Sequence, residues 1–108
     1  MKAERLAGLW LQVKGYKILE RRYKTPVGEI DLIIQKNNLI AFVEVKARET
    51  KRQALESLTP KMRQRIERAA SYYIAHNKCD GFDMRFDLVT VVPPFFIQHL
   101  DNALVQAA

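Results

Sequence analysis

The predicted elements favour an α/β sandwich with a mixed central sheet. Three apolar segments joined by short turns predict an antiparallel meander over residues 16–47. A long helix and a further strand follow, so that this helix crosses between two strands of one sheet. A chain of 108 residues is long enough for one core, and we assign residues 1–108 to a single domain.

The first half of the chain begins with an amphipathic helix. Apolar residues recur at helical spacing over residues 3–14, and Gly15 then supplies a stop. After the glycine, β-branched and aromatic residues bounded by turn residues are typical of strands. The predicted strands are 16–24, 29–35 and 39–47, with turns at Pro26-Val27-Gly28 and Asn37-Asn38 between them.

The second half begins with a charged segment. Residues 48–58 lack a strong period, which predicts a mobile loop with room for a helical turn. Thr59-Pro60 then starts a helix, with threonine as N-cap and proline at the first helical position, and its apolar stripe continues to about His76. The last predicted elements are a strand at 83–92, an edge strand at 95–99 and a short helix at 101–107.

The charge balance points to a polyanionic partner. The chain carries 18 Lys and Arg against 12 Asp and Glu, a net charge of +6, which suits nucleic acid or anionic lipid. No apolar run reaches the roughly 20 residues that span a bilayer, so we expect no membrane segment. Cys79 has no second cysteine to pair with and lies in a polar turn, so we expect a surface thiol and a reducing cytoplasmic location.

Two acids interrupt the apolar strands of the meander. Asp31 and Glu44 stand among Ile, Leu, Val and Phe, where a bare carboxylate is costly without a partner. If Asn37-Asn38 is the centre of the hairpin, Asp31 lies directly opposite Glu44, with Cβ atoms ~5 Å apart. Lys46 points to the same face as Glu44 because strand side chains alternate.

Such a pair of acids calls for a cation. Repulsion at this separation pushes one acid towards protonation unless a positive charge lies between them. Hard oxygen ligands suit Mg²⁺ or Mn²⁺, with water and a substrate phosphate completing the coordination. Lys46 would then hold an attacking water or stabilise charge on the phosphoryl group. The alternative is structural: Lys46 and Arg48 form salt bridges to Asp31 and Glu44 at a sheet end.

These residues resemble the core of the PD-(D/E)XK nuclease superfamily. Asp31 and Glu44-Val45-Lys46 match its motif, with Ile30 in place of the motif's proline. More narrowly, the chain is similar to the YraN-like family of uncharacterised bacterial proteins, from Glu4 to about Asn102. The matching segments are Gly28-Glu29-Ile30-Asp31-Leu32-Ile33, Phe42-Val43-Glu44-Val45-Lys46-Ala47-Arg48, Lys61, Ala69-Ala70 and Arg85-Phe86-Asp87.

The resemblance implies a restriction-endonuclease-like, three-layer α/β/α fold with a helix-strand-strand-strand-helix-strand core. It also implies metal ligation by Asp31, Glu44 and the backbone carbonyl of Val45, with Lys46 as the catalytic lysine. A further implied ligand is Glu4, which would face the metal from the first helix. The alternative for Glu4 is an exposed first-turn acid favoured by the helix dipole.

We therefore predict a nuclease that uses Mg²⁺ or Mn²⁺ to hydrolyse phosphodiester bonds, in DNA in preference to RNA as the substrate class, and that recognises structured DNA such as branches. Basic residues would grip the flanking backbone. They are Arg48, Lys51, Arg52, Lys61, Arg63, Arg65, Arg68 and Arg85. Arg85 shares a strand face with Asp87, so pairing with neighbours is its alternative role.

Two other functions stay open at this point. The same fold without turnover would be a nucleic-acid-binding or partner-recruiting module. A third function is an interaction domain that forms a homodimer through aromatic residues, while the acids form structural salt bridges. Those aromatic residues, which could equally belong to the core, are Tyr72, Tyr73, Phe95 and Phe96.

Overall fold

A computed structural model describes residues 2–93 and 96–102 of the chain. Within them, the predicted strands and the two long helices are present, with bounds that differ from the predicted ones by no more than one residue. The elements are α1 (Lys2–Val13), β1 (Lys17–Thr25), β2 (Gly28–Lys36), β3 (Leu39–Ala47), α2 (Lys51–Glu56), α3 (Pro60–His76), β4 (Asp83–Val92) and β5 (Phe96–Leu100).

The five strands form one sheet in the order β1-β2-β3-β4-β5. Pairing is antiparallel throughout except between β3 and β4, which run parallel. A parallel pair needs a crossover connection, and the segment with α2 and α3 provides it. The predicted mixed α/β class and the antiparallel meander are confirmed.

Helices cover both faces of the sheet. On one face, α3 contributes Ile66 and Tyr73 to a cluster that includes Phe42 of β3. On the other face, α1 packs Ala7 and Leu11 against the remaining apolar side chains of the central strands. This two-sided burial explains why β2 and β3 read as nearly continuous apolar runs instead of alternating ones.

The loop predicted for residues 48–58 contains a complete short helix, so that prediction was only partly right. Thr50 caps α2: its side chain accepts the Gln53 N–H at 3.1 Å, and the Gln53 side chain accepts the Thr50 N–H at 3.2 Å. This reciprocal capping box stabilises the first turn. Ala54 is buried beneath the helix, so one small apolar residue anchors a segment that otherwise has no amphipathic period.

The expectation of a surface thiol at Cys79 was wrong. The side chain is 9% exposed and belongs to the cluster beneath α3. The polar neighbours in the sequence are themselves exposed, and the turn folds Cys79 inwards between them. Burial raises the pKa of the Cys79 thiol, which makes it a poor nucleophile at neutral pH.

The aromatic residues predicted to form a dimer interface differ in their exposure, and part of the C-terminal prediction falls outside the described residues. Tyr73 is a core residue, whereas Phe96 on β5 is 69% exposed. Phe95 and most of the helix predicted at 101–107 lie outside the described residues, and Asp101 and Asn102 form a turn. Among residues 2–93 and 96–102, no helix has the length and apolar character of a membrane span.

Candidate active site

The site lies where the pairing between β2 and β3 ends. The predicted register holds for five pairs, from Lys36–Leu39 at the turn to Leu32–Val43. Asp31 and Glu44 would form the next pair, but regular pairing stops before them. The backbone pairing between the two strands therefore ends just before the two acids.

The backbone of β1 and β2 is irregular beside Asp31. Arg22 of β1, whose neighbours Arg21 and Tyr23 pair with Leu32 and Ile30, has a positive φ of 48°, which is unusual for a residue other than glycine. On either side of this point the apolar side chains of β2 change face: Ile30 packs in the cluster beneath α3 and Leu32 in the cluster beneath α1. Residues two apart on a regular strand share a face, so the backbone twists at Asp31.

The structure brings Asp31, Glu44 and Lys46 together. Asp31 Oδ2 accepts the Val45 N–H at 2.8 Å, and Lys46 Nζ lies 3.9 Å from Glu44 Oε2. All three side chains line one cleft of about 410 Å³ at the end of the sheet, between the start of α1 and the first turns of α3. The described lining residues are Ala3, Glu4, Glu29, Asp31, Glu44, Val45, Lys46, Ala47, Arg48, Met62, Arg65 and Ile66.

The electrostatic balance in this cleft favours a protonated Glu44 when no metal is bound. Burial, followed by a hydrogen bond and charge repulsion from Asp31, raises the pKa of Glu44 to about 9, while Lys46 acts in the opposite direction. Only 14% of the Glu44 side chain is exposed. A lysine at 3.9 Å is too distant for a hydrogen bond, so the predicted salt bridge is weak. Arg48 adds none, because its Nη1 donates to the carbonyl of Ala47.

Glu4 lies at the edge of the cleft. Burial, and then the negative charge of Asp31, raise the pKa of Glu4, while Arg22 lowers it. Glu4 is thus within electrostatic reach of Asp31, as the resemblance implies. In the part of the chain that the structure describes, however, no three Asp, Glu, His or Cys side chains converge closely enough to hold a metal ion together. Glu4 lines the same cleft as Asp31 and Glu44, and its role as a metal ligand stays a prediction.

The basic residues predicted to hold nucleic acid do not lie together. Arg48 and Arg65 line the cleft beside the acids. Arg68 lies one turn further along α3, in a groove that Arg65 also lines. Arg63 is 3.8 Å from Glu67 on the same helix. The other predicted residues, none of which lines the cleft, are Lys51, Arg52 and Lys61. Lys51 lines a separate depression with Trp10 and Phe96.

Arg85 occupies a different environment. Its guanidinium binds Asp87 through Nε and Nη2, each at 2.7 Å, and Nη2 also donates to the Tyr16 hydroxyl at 3.2 Å. His99 Nε2 lies 2.6 Å from the same carboxylate. Arg85 therefore pairs with its neighbour, the second role considered above, and the structure does not bring it to the cleft. His99 is a partner of Asp87, a role that its isolated position in the sequence does not reveal.

Sequence reasoning missed basic and acidic residues on β1 and the following turn. Lys24 and Glu29 line the groove beside the cleft, and Arg21 and Arg22 line a further groove that reaches Asp31 from the α1 side. The signal was available: the basic run at residues 21–24 directly precedes the acid-bearing strand. Its relation to the site was hidden because the face change at Asp31 breaks simple alternation along β2.

Fold and cleft together define a mixed α/β protein with an acid pair and a lysine at the end of a five-stranded sheet. The chain belongs to the uncharacterised protein family UPF0102, the YraN family, whose model matches residues 3–91.

Relatives of this family cover most of the chain. It is 47% identical over 106 residues to UPF0102 protein amb4503 of Paramagnetospirillum magneticum, a match that covers 94% of this chain and 82% of the relative. A UPF0102 protein of Rhodopseudomonas palustris is 48% identical over 102 residues, covering 94% of this chain and 80% of the relative. UPF0102 protein Mmar10_3014 of Maricaulis maris is 46% identical over 104 residues, covering 95% and 82% respectively.

Proposed function

We propose that this protein is a metal-dependent nuclease that hydrolyses phosphodiester bonds in DNA, on a restriction-endonuclease-like fold. The observation that carries the proposal is the convergence of Asp31 and Glu44 in one open cleft, with the Lys46 amine 3.9 Å from Glu44. The order of α1, the β1–β3 meander, α3 and β4 supports the fold assignment, because it matches the helix-strand-strand-strand-helix-strand core.

The residues of the cleft suit a divalent cation. Two carboxylates at a sheet end supply the hard oxygen ligands that Mg²⁺ and Mn²⁺ prefer. Glu44 retains a proton to an unusually high pH, and a bound cation would replace that proton and remove the repulsion from Asp31. Asp31 and Glu44 would hold the ion. When bound, the ion supplies Lewis acidity, which polarises the scissile phosphate and lowers the pKa of a bound water.

Lys46 and the backbone around it would orient the water and position the carboxylates. The Lys46 amine lies beside Glu44, where it would orient the attacking water and stabilise negative charge on the phosphate oxygens. The hydrogen bond from the Val45 N–H to Asp31 holds one carboxylate oxygen in place and orients the other oxygen. Because β3 is paired with β4 along this stretch, Glu44 and Lys46 stand on a rigid strand.

Basic side chains around the acids support a nucleic-acid substrate. Arg48 and Arg65 line the same cleft and are exposed, so they can contact phosphates on either side of the scissile bond. We expect affinity to fall steeply with salt, since cation–phosphate contacts release counterions. Recognition of DNA structure, such as a branch, instead of base sequence is the specificity that we propose. Cytoplasmic location belongs to the same proposal.

A second candidate is a nucleic-acid-binding module on the same fold that does not turn over. The observation that favours it is the absence of a third converging acid within residues 2–93 and 96–102. Such a module would keep the cations and the acid pair but would lack a complete ligand set for catalysis.

Cleavage and metal binding can be measured on the same three proteins. Wild type, Asp31→Asn and Lys46→Ala are incubated with linear, single-stranded and branched DNA in Mn²⁺ or in EDTA, and Mn²⁺ binding is followed by calorimetry. We expect Mn²⁺-dependent cutting by wild type only, and Mn²⁺ binding by wild type and Lys46→Ala. DNA binding without cutting of any substrate would favour the non-catalytic module.

A further inference from the structure

A second groove lies next to the cleft, on the side of the β1–β2 turn. It encloses about 610 Å³ and is lined by the turn residues from Lys24 to Glu29 and by Arg65 and Arg68 of α3. Glu29 and Arg65 also line the cleft with the acid pair. The two depressions are therefore neighbours that share a wall, and a chain-like ligand can run from one to the other.

The turn that forms this groove is fixed from within and from α3. The Thr25 hydroxyl donates to the Gly28 carbonyl at 2.7 Å and accepts the Val27 N–H at 3.1 Å. Gly28 packs against the backbone of α3 so closely that a Cβ atom there would lie 2.6 Å from the Arg65 carbonyl oxygen. Only glycine permits this approach. The contact holds the turn, and with it Lys24, against the helix face that carries Arg65 and Arg68.

The charges of the groove are unbalanced. Three cations (Lys24, Arg65 and Arg68) face one acid, Glu29. In the described part of the chain none of the three cations has a carboxylate within salt-bridge distance. Arg63 on the same helix differs, because Glu67 is 3.8 Å away. Exposed cations that converge on one groove without acidic partners are the usual footprint of a phosphate backbone.

We propose that this groove, formed by Lys24, Arg65, Arg68 and the β1–β2 turn, binds the backbone phosphates of DNA on one side of the bond held at the Asp31–Glu44 pair. The inference rests on the nuclease function proposed above and deepens it. It makes the substrate a polynucleotide that extends beyond the scissile phosphate towards the turn, so a short phosphodiester without that extension binds weakly. It also adds Lys24, on β1, to the binding residues.

The test measures binding without catalysis. Affinity for a fluorescently labelled branched DNA is determined in EDTA at several salt concentrations for wild type and for the double variant Lys24→Ala/Arg68→Ala. Losing two phosphate contacts should reduce the slope of log K against log salt by roughly 0.7 to 0.9 per contact. The variant Lys24→Arg/Arg68→Lys keeps both charges and should keep most of the slope. A matched control, Lys17→Ala/Lys78→Ala, removes two exposed cations that line neither depression and should bind like wild type.

The outcomes separate this inference from the nuclease proposal. If the groove variant binds as tightly as the control at every salt concentration, the inference is overturned, whether or not wild type cuts DNA. If the groove variant alone loses affinity, the inference stands, even when wild type shows no Mn²⁺-dependent cutting. Wild type that binds no DNA at low salt would overturn both. Thermal unfolding of every variant checks that the exposed substitutions leave the fold intact.

Discussion

A single buried acid and a pair of acids in the same sheet differ in the number of hydrogen-bond donors around them. Asp87 on β4 is fully buried, yet it accepts hydrogen bonds from Arg85, from His99 and from the Asn102 N–H at 3.0 Å. Asp31 and Glu44, at the end of the β2–β3 pair, have one backbone N–H and a lysine at 3.9 Å between them. The first carboxylate is fully compensated, whereas the pair has few donors and Glu44 keeps a proton up to a pH of about 9.

The difference appears in the pKa values. Burial alone would raise the pKa of Asp87, but the hydrogen bonds from His99, Arg85 and Asn102 outweigh burial and lower it. Burial and the neighbouring Asp31 raise the pKa of Glu44 to about 9. A buried acid whose donors are all supplied by the protein holds the fold together. A buried pair with few donors keeps a proton or takes up an external cation, and this contrast distinguishes the two acidic sites within one sheet.

The largest effect on the free energy of unfolding should come from Asp87→Ala. The change leaves the Arg85 guanidinium without its main partner in a half-buried position, and breaking a buried ion pair from one side costs about 3–5 kcal/mol. Urea unfolding should show this loss in the free energy of unfolding. Asp83→Ala, an exposed change at the start of the same strand, serves as the control and should stay within about 0.5 kcal/mol. Equal effects of the two changes would refute the structural role.

Lys46→Ala should affect chemistry and leave stability nearly unchanged. The amine is too far from Glu44 for a hydrogen bond, so little folding energy is lost. If the lysine stabilises the transition state, cleavage should slow about 10²- to 10³-fold, as for the loss of one oxyanion donor. Single-turnover cleavage at saturating Mn²⁺ measures the effect, with Lys17→Ala as the control. A variant that cuts DNA at the wild-type rate would remove Lys46 from the mechanism.

His99→Phe removes one hydrogen-bond donor to Asp87 and should destabilise the fold less than Asp87→Ala. The ring contacts with Trp10 and Tyr16 are largely kept, but Asp87 loses the donor at 2.6 Å. A hydrogen bond to a charged group contributes about 1.5–3 kcal/mol, and we expect a loss of that size in urea unfolding. His76→Phe, whose imidazole contacts the carbonyl of Tyr72 on the surface of α3, is the matched control. A loss of similar size in the control would argue against a special role for His99.

Glu44→Gln should act in the opposite direction and stabilise the fold in the absence of metal. The folded-state pKa of Glu44 is raised from 4.5 to about 9. Between these two pH values the folded protein keeps a proton that the unfolded chain has already released. The free energy of unfolding without metal should therefore fall as pH rises through that range. Glutamine carries no charge, so the variant should be more stable than wild type near pH 8 and should have a flatter pH profile.

The pH series has two internal controls. The lowered pKa of Asp87 makes its contribution present above the unfolded-state pKa and lost as pH falls into the acid range, in wild type and in Glu44→Gln alike. Mg²⁺ should raise the melting temperature of wild type near neutral pH but not that of Glu44→Gln. A wild-type profile that is flat from pH 5 to 9 in EDTA would contradict the uncompensated pair.

The sequence by itself determined the mixed α/β class, the antiparallel meander and the register of the β2–β3 hairpin. These follow from local signals: apolar periodicity, the Asn37-Asn38 turn and the Thr59-Pro60 helix start. The same register was enough to predict that Asp31 and Glu44 lie close together. Local chemistry also contained the capping box of α2, although its signal was outweighed by the charged residues around it.

Only the tertiary structure decided which charges face which. Several features depend on contacts between distant parts of the chain. They are the positive φ of Arg22, the change of face at Asp31, the inward turn of Cys79, and the hydrogen bonds from Arg85 and His99 to Asp87. The position of Glu4 in the cleft depends on how α1 packs on the sheet. Sequence spacing sets the face of a side chain only along a regular element, and at each of these points the backbone is irregular or the partner comes from another element.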